Sequence, residues 1–225
     1  MKAVIKLGGF AFSDRDEQPL VGEYIELLKE LGGKYRLVVV AGGGPIARYY
    51  IRAARKQGVP ESLCDHLGIL VSRLNARLIV DGLAENAFPE VPTTIDELKH
   101  FFASGKLVGM GGLTPGHSTN AVAAIAAETI VADLFVNATD VDGVYTEDPA
   151  KNPNARLLAQ VKVEQLDQIL AKADIKAGEY DLMDPLALRI IQRSRIPTLI
   201  INGHSPDNLV KALSGEPVGS RVTHE

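Results

Sequence analysis

The sequence predicts an α/β fold in which a mostly parallel open sheet is covered by helices on both sides. Three observations carry that expectation. The strand-like runs are short, rich in β-branched residues and continuously apolar, as in strands buried on both faces. Stretches with apolar residues at helical spacing lie between them, and strands alternating with helices imply right-handed crossovers. Three strand ends also run into glycine clusters, at Gly8 and Gly9, at 42–44 and at 111–116, the edge where open α/β sheets bind ligands.

In chain order, the first strand is Lys2–Leu7 (KAVIKL), stopped by Gly8 and Gly9. A helix over 23–31 follows, with Tyr24, Leu27, Leu28 and Leu31 on one face. The second strand, Arg36–Ala41 (RLVVVA), ends at three glycines. Pro45 then suits the first turn of a helix over 46–56, whose apolar residues are Ile46, Tyr49, Tyr50 and Ala53. Helices are expected over 61–82 and 94–103, and a strand over 106–110 (KLVGM). Thr119–Ile130 reads as a helix of small residues capped by Ser118 or Thr119. A strand over 133–138 (DLFVNA) precedes the turn-rich stretch 142–154 (DGVYTEDPAKNPN), either a boundary between two lobes or a loop over a site. Helices over 163–171 and 185–193, a strand over 197–202 (PTLIIN) and a helix over 207–213 complete the pattern.

Length and composition restrict the function classes. At 225 residues the chain is one large domain or two small lobes. Cys64 is the only cysteine, so an intrachain disulfide and a cysteine zinc site are excluded and a reducing compartment is expected. A net charge of -4, from 24 Lys+Arg against 28 Asp+Glu, argues against nucleic-acid binding or a polybasic membrane surface. It leaves room for a local basic site that takes a phosphorylated small molecule. No apolar run reaches the roughly 18 residues of a membrane span, and MKAVIKLGGF lacks a signal-peptide pattern, so a soluble cytoplasmic protein is expected.

The glycine clusters carry the chemistry. In VVVAGGGPIARYY a strand becomes a helix through glycines, so backbone N–H groups can approach an anion that the helix dipole also favours. Arg48, one turn inside, can reach the same anion with its planar fork; the bland alternative is a tight turn and a surface arginine. Gly42, Gly44 and Ala47 match G-x-G-x-x-A formally, but a second helix follows where a dinucleotide fold needs a strand, and no P-loop motif occurs. Lys6 stands where the first strand meets Gly8 and Gly9. It either snorkels to solvent or is a fixed positive charge on a transferring phosphoryl group. The run GGLTPGHSTN gathers hydroxyls, the Asn120 amide and N–H groups over more residues than a helix start requires. Asp65 is either a carboxylate favoured by a helix dipole or a bidentate acceptor for two ribose hydroxyls. Cys64 beside it reads as a small buried side chain. Asp140, Asp142 and Asp148 around Tyr145 lack the ligand spacing of an EF-hand.

Taken together and in order, KLGG, VVVAGGGPIARYY, DHLGILVSRLNA, GGLTPGHSTNAVAA, NATDVDGVYTEDP and YDLMDPLALRII resemble the amino acid kinase superfamily, most closely its archaeal-type uridylate kinases. The resemblance implies a three-layer αβα sandwich, a single domain over 1–225 with an acceptor lobe near 1–130 and an ATP lobe near 131–225, and a homo-hexamer. It implies transfer of a phosphoryl group from ATP to UMP with Mg2+ held mainly through ATP phosphates. Lys6, Gly8 and Gly9 would hold the ATP phosphates, Gly43 would contact UMP, and Gly44 and Arg48 would face the ATP side and the migrating group. Asp65 would take the ribose. Leu113, Thr114, Pro115, Gly116, His117, Ser118 and Thr119 would enclose UMP, and Thr139, Tyr145 and Asp148 would surround adenosine. Two departures stand out: Asn120 replaces an aspartate common in relatives, and Phe10 replaces a polar residue. A kinase of CMP, N-acetylglutamate, carbamate or isopentenyl phosphate, and a nucleotide-binding sensor or storage subunit, are the alternatives.

Overall fold

The computed structural model describes residues 1–13, 20–147, 149, 152–172 and 182–224, apart from the side chains of 171 and 172. Seven strands form one sheet: β1 (Lys2–Leu7), β2 (Arg36–Ala41), β3 (Val108–Met110), β4 (Leu134–Thr139), β5 (Gln160–Lys162), β6 (Thr198–Asn202) and β7 (Ser220–Thr223). Their order is β3-β2-β1-β4-β6-β7-β5, and every pairing is parallel except β6 with β7. The helices are α1 (Leu20–Gly32), α2 (Gly44–Lys56), α3 (Glu61–Leu83), α4 (Ile95–Ala103), α5 (Thr119–Ile130), α6 (Val163–Lys172), α7 (Pro185–Ser194) and α8 (Asp207–Ser214).

Strand periodicity sorts the core into two layers. Val4, Val38, Val40, Val108, Phe135 and Ile200 face one side, with Leu98 and Phe101 of α4, the alanines of α5 and Ile190 of α7. Ala3, Ile5, Leu37, Val39, Val136 and Ile201 face the other, with Tyr24 and Leu28 of α1, Ile79 and Leu83 of α3 and Leu209 of α8. The result is the expected three-layer αβα sandwich. In α5, Ala121, Ala123, Ala126 and Ala127 are all fully buried, so the small side chains let this helix pass between the sheet and α7.

Local signals start three helices close to where the sequence places them. Thr94 caps α4 in a capping box with Glu97, Ser118 caps α5 and Asp184 caps α7. Most boundaries shift by one or two residues, and the larger differences are the starts of two elements and two further strands. The first helix begins at Leu20, not 23, because Leu20 and Val21 already pack on the core. The third strand begins at Val108, since Leu107 bonds back to Asn86 and Phe88 instead of β2. β5 and β7 were not foreseen. Each is short, and β7 inserts antiparallel between β6 and the edge strand β5. The turn-rich stretch leaves the sheet at β4, and the same sheet continues beyond it through β6.

At the carboxyl edge β1 and β2 end side by side, with Leu7 in register with Ala41. Their loops touch backbone to backbone. A Cβ on Gly9 would lie 2.5 Å from Gly44 Cα, and one on Gly42 would lie 2.9 Å from Gly9 N. Gly44 adopts φ +65, and its Cβ would meet Gly9 O at 2.7 Å. Gly42 N–H donates to Leu7 O at 2.9 Å, and Gly8 N–H to Ala138 O at 3.0 Å, tying both loops to the strand ends.

Gly9→Ala is therefore expected to lower the unfolding free energy by about 1–3 kcal/mol through overpacking against backbone that cannot yield. Gly22→Ala, on the exposed side of α1 with nothing within 4 Å of the new methyl, is expected to raise it by about 0.5–1 kcal/mol. Chemical denaturation of both variants checks the contrast, and a Gly9→Ala protein as stable as the parent would place no constraint at this contact.

Candidate functional site

A cleft of ≈ 380 Å³ opens at the carboxyl edge beside the touching loops. The start of α2 supplies Gly43, Gly44, Ala47, Arg48 and Ile51, and α3 supplies Asp65, Gly68, Ile69 and Ser72. The loop after β3 closes it with Gly112, Gly116, His117, Ser118 and Thr119. Eight residues singled out in the sequence thus meet in one place: Gly43, Gly44, Arg48, Asp65, Gly116, His117, Ser118 and Thr119. Leu113, Thr114 and Pro115 belong to the same loop but do not line the cleft.

One helix holds that loop. Asp65 Oδ2 accepts from Gly116 N–H at 2.9 Å, and Ser72 Oγ accepts from Gly112 N–H at 2.8 Å while donating to Ile69 O. Arg73 donates from Nε to Gly112 O (2.9 Å) and from Nη2 to Leu113 O (3.1 Å). The residues are spaced so that one side of α3 carries them all. The backbones are also close: a Cβ on Gly111 would lie 2.6 Å from Arg73 N. Thr114 to His117 then turns through Pro115 and Gly116, with φ +82 at Gly116 and His117 N–H donating to Thr114 O, the geometry of a Pro-Gly type II turn.

Behind the cleft, Lys6 is buried, 9% exposed, on the strand face that carries Val4. Its register neighbours are Val40 and Asn137. Asn137 Nδ2 donates to Leu182 O at 2.7 Å, and Asn120 Nδ2, from the first turn of α5, reaches the same carbonyl at 3.5 Å. Among the described residues, the buried carboxamide oxygens of both asparagines have no hydrogen-bond partner. Such atoms cost roughly 1–3 kcal/mol each and ask for an occupant. Ser118 Oγ donates to Asp184 Oδ2, so the caps of α5 and α7 are joined at the same end.

The second set of expected residues lies beyond β4. Thr139 closes β4, and its hydroxyl donates to Asp140 at 3.2 Å. Tyr145 donates to Asp142 Oδ2 at 3.1 Å, while Asn202 Nδ2 holds the other carboxylate oxygen at 2.8 Å. Burial and the Asp142 carboxylate raise the Tyr145 phenol above its ordinary pKa. Asp148 lies outside the described residues. Phe10 has a packing role: its ring meets the space a Cβ would take at Gly8 and at Gly203, and it lies 4.8 Å from the His204 ring.

Sequence reading missed Ser72, Arg73, Asn137 and Asp184. Ser72 and Arg73 act on a loop some 40 residues away, and no local pattern announces such a bond. For Asn137 the available signal was an amide interrupting an apolar strand. Among the described residues no cluster of three or more His, Cys, Asp or Glu could hold a metal ion, and no helix is long and apolar enough to cross a membrane.

The model of the amino acid kinase family matches residues 1–202. Uridylate kinase of Methanothermobacter thermautotrophicus is 44% identical over 225 residues, covering 100% of both chains. That of Hyperthermus butylicus is 45% identical over 221 residues, 98% of this chain and 97% of the other. The crystal structure of uridylate kinase from Archaeoglobus fulgidus superposes with a TM-score of 0.88 at 38% identity, covering 99% of this chain and 100% of that one. UMP kinase from Bacillus anthracis, at 21% identity and a TM-score of 0.82, shares the fold. A sheet whose strand ends are bridged by glycines, with a cleft under α2 and α3 and full-length relatives of one kind, leaves one assignment: the chain belongs to the amino acid kinase family.

Proposed function

We propose that this chain is a UMP kinase, transferring the γ-phosphoryl group of ATP to UMP to give UDP and ADP. The observation that carries the reading is the meeting of Arg48, Asp65 and the 111–119 loop in one cleft, in a chain that matches proteins named uridylate kinase along its whole length. The acceptor lobe lies near 1–130, which holds the residues lining the cleft, and the ATP lobe near 131–225, which holds Thr139 and Tyr145, with Lys6, Gly8 and Gly9 at the junction.

The chemistry needs little beyond placement. The second pKa of a phosphate monoester is roughly 6, so at neutral pH the UMP phosphate is already an ionised nucleophile and no general base is required. Its oxygen attacks the γ-phosphorus in line, the bond to the β-bridging oxygen breaks, and ADP leaves with the electron pair. Lys6, with Gly8 and Gly9, binds the ATP phosphates, Gly43 contacts UMP, and Gly44 and Arg48 meet the migrating group. Asp65 keeps lone pairs for the ribose while one oxygen accepts from Gly116. Thr139, Tyr145 and Asp148 take adenosine.

Mg2+ is the expected companion of ATP, neutralising charge on the phosphoryl group in transfer. It keeps several waters and binds chiefly through phosphate oxygens. The unpartnered oxygens of Asn120 and Asn137 suit its hydrated shell, being hard, neutral acceptors. A homo-hexamer is part of the same reading. Leu63, Leu70, Leu74 and Leu78 form an exposed stripe along α3, beside Ile46, Tyr49 and Tyr50 of α2, and this supports self-association. The substrates and the lone cysteine suit a cytoplasmic setting.

The decisive assay offers the purified protein ATP with Mg2+ and, in parallel, UMP, CMP, N-acetylglutamate, carbamate and isopentenyl phosphate. UDP should dominate, and chelation of Mg2+ should abolish turnover until the ion is restored; faster turnover of another acceptor would overturn the uridylate reading. Lys6→Ala should lower kcat by about 10²–10³-fold with little change in KM for UMP. Asp65→Ala should instead raise that KM by about tenfold or more, from the loss of charged hydrogen bonds to ribose. Leu74→Asp combined with Leu78→Asp should give a smaller species by light scattering than the parent; an unchanged mass would remove this stripe from the interface.

A further inference from the structure

The glycine turn at the head of α2 is held by two carbonyls. Gly43 O accepts from Ala47 N–H at 3.3 Å, a bond along the helix itself. Gly42 O lies outside the helix, and Asn75 Nδ2, from the middle of α3, donates to it at 2.7 Å. Among the described residues no backbone N–H reaches that carbonyl. A trans peptide holds its C=O and N–H antiparallel. The two tied carbonyls therefore turn Gly43 N–H away from Asn75 and Gly44 N–H out of the helix end, and among the described residues neither meets an acceptor. Backbone conformation brings the two donors together. Gly43 is right-handed, with φ -80 and ψ -25, and Gly44 is left-handed, with φ +65. Successive N–H groups in that alternation form a concavity that binds anions. Both residues line the cleft, and having no side chains they line it with backbone alone. Arg48, one turn further along α2, lines the same cleft.

We infer that Asn75 is a positioning residue for phosphoryl transfer, which holds the 42–43 peptide so that the N–H groups of Gly43 and Gly44 take one phosphate oxygen. This rests on the cleft being the site where UMP meets ATP. The 43–44 peptide is fixed by the helix that it starts. The 42–43 peptide is not, and a peptide flanked by glycines is set by few steric preferences of its own. Turned over, it would aim Gly42 O at the anion in place of an N–H, an acceptor against a negative charge. The bond from Asn75 opposes that turn. A carboxamide suits the task, since its NH2 donates to the carbonyl without adding charge beside the phosphates, whereas a carboxylate has no proton to donate.

The test measures the binding of UMP and of uridine by calorimetry, and turnover of UMP with ATP and Mg2+, in the parent protein, Asn75→Ala and Asn75→Leu. Both variants remove the donor without adding charge; the first shortens the side chain and the second fills its space. Each should bind UMP about tenfold or more weakly than the parent and lower kcat by about tenfold or more, while the affinity for uridine, which carries no phosphate, stays within about twofold. Equal losses on UMP and uridine would overturn the inference, since Asn75 would then only prop α3 against the loop. Unchanged UMP binding would overturn it as well, because the 42–43 peptide would then need no support. Should one variant fail to fold, the other carries the same comparison. A parent protein that does not phosphorylate UMP at all would instead overturn the functional reading from which this inference starts.

Discussion

The contact between Gly9 and Gly44 sets the geometry of everything at the carboxyl edge. Two strands that lie side by side in a parallel sheet must each turn into a different element within a few residues. Here the two turns occupy the same space to within 2.5 Å of a missing Cβ. Only bare backbone allows that approach, and the left-handed conformation of Gly44 follows from it. With the turns pressed together, α2 starts directly over the end of β1. Arg48 then lies at the cleft while Lys6 stays buried on the opposite face of the sheet. Backbone and strand register thus set where the two cations proposed for phosphoryl transfer leave the main chain.

A second rigid body completes the arrangement. α3 is long, packs on the sheet and carries Asp65, Ser72 and Arg73 on the side that meets the 111–117 loop. Asp65, Ser72 and Arg73 shape the loop from one helix face, which preorganises donors without help from a ligand. The opposite end of the loop is tied to α7 through Ser118 and Asp184. The loop is therefore clamped between the two helical layers, with the sheet edge as its floor.

How much of this the sequence disclosed depended on the range of the interaction. β1, β2 and the small-residue helix α5 are legible because their cause is local: continuous β-branched runs, and a run of alanines at helical spacing. Gly42, Gly43, Gly44 and the TPGH turn are legible for the same reason, since φ preferences act within a few residues. β5 and β7 are not, because Gln160–Lys162 holds a single buried valine and its strand character comes wholly from a partner far along the chain. Arg73 is illegible in the same way: as a helix residue it looks like any solvated arginine until its two carbonyl partners are placed beside it. Asn137 and Asn120 show a third case, where two residues that look unremarkable apart become conspicuous once both reach Leu182 O and leave their oxygens alone.

The position of β7 has a consequence in time. Among the described residues β5 pairs only with β7, so its backbone has no partner until a segment about sixty residues later has been synthesised, a wait of several seconds at about 5–20 residues per second. β3, β2, β1 and β4 are complete long before, and their glycine contact can form while the remainder is still being made. Closure of the sheet by an inserted antiparallel strand makes the late half a high-separation event, slow by its loop-closure entropy. The half that bears the acceptor cleft thus has a head start on the half that finishes the sheet, and newly made chains pass through a stage in which one edge of β6 is bare and open to pairing with a neighbour.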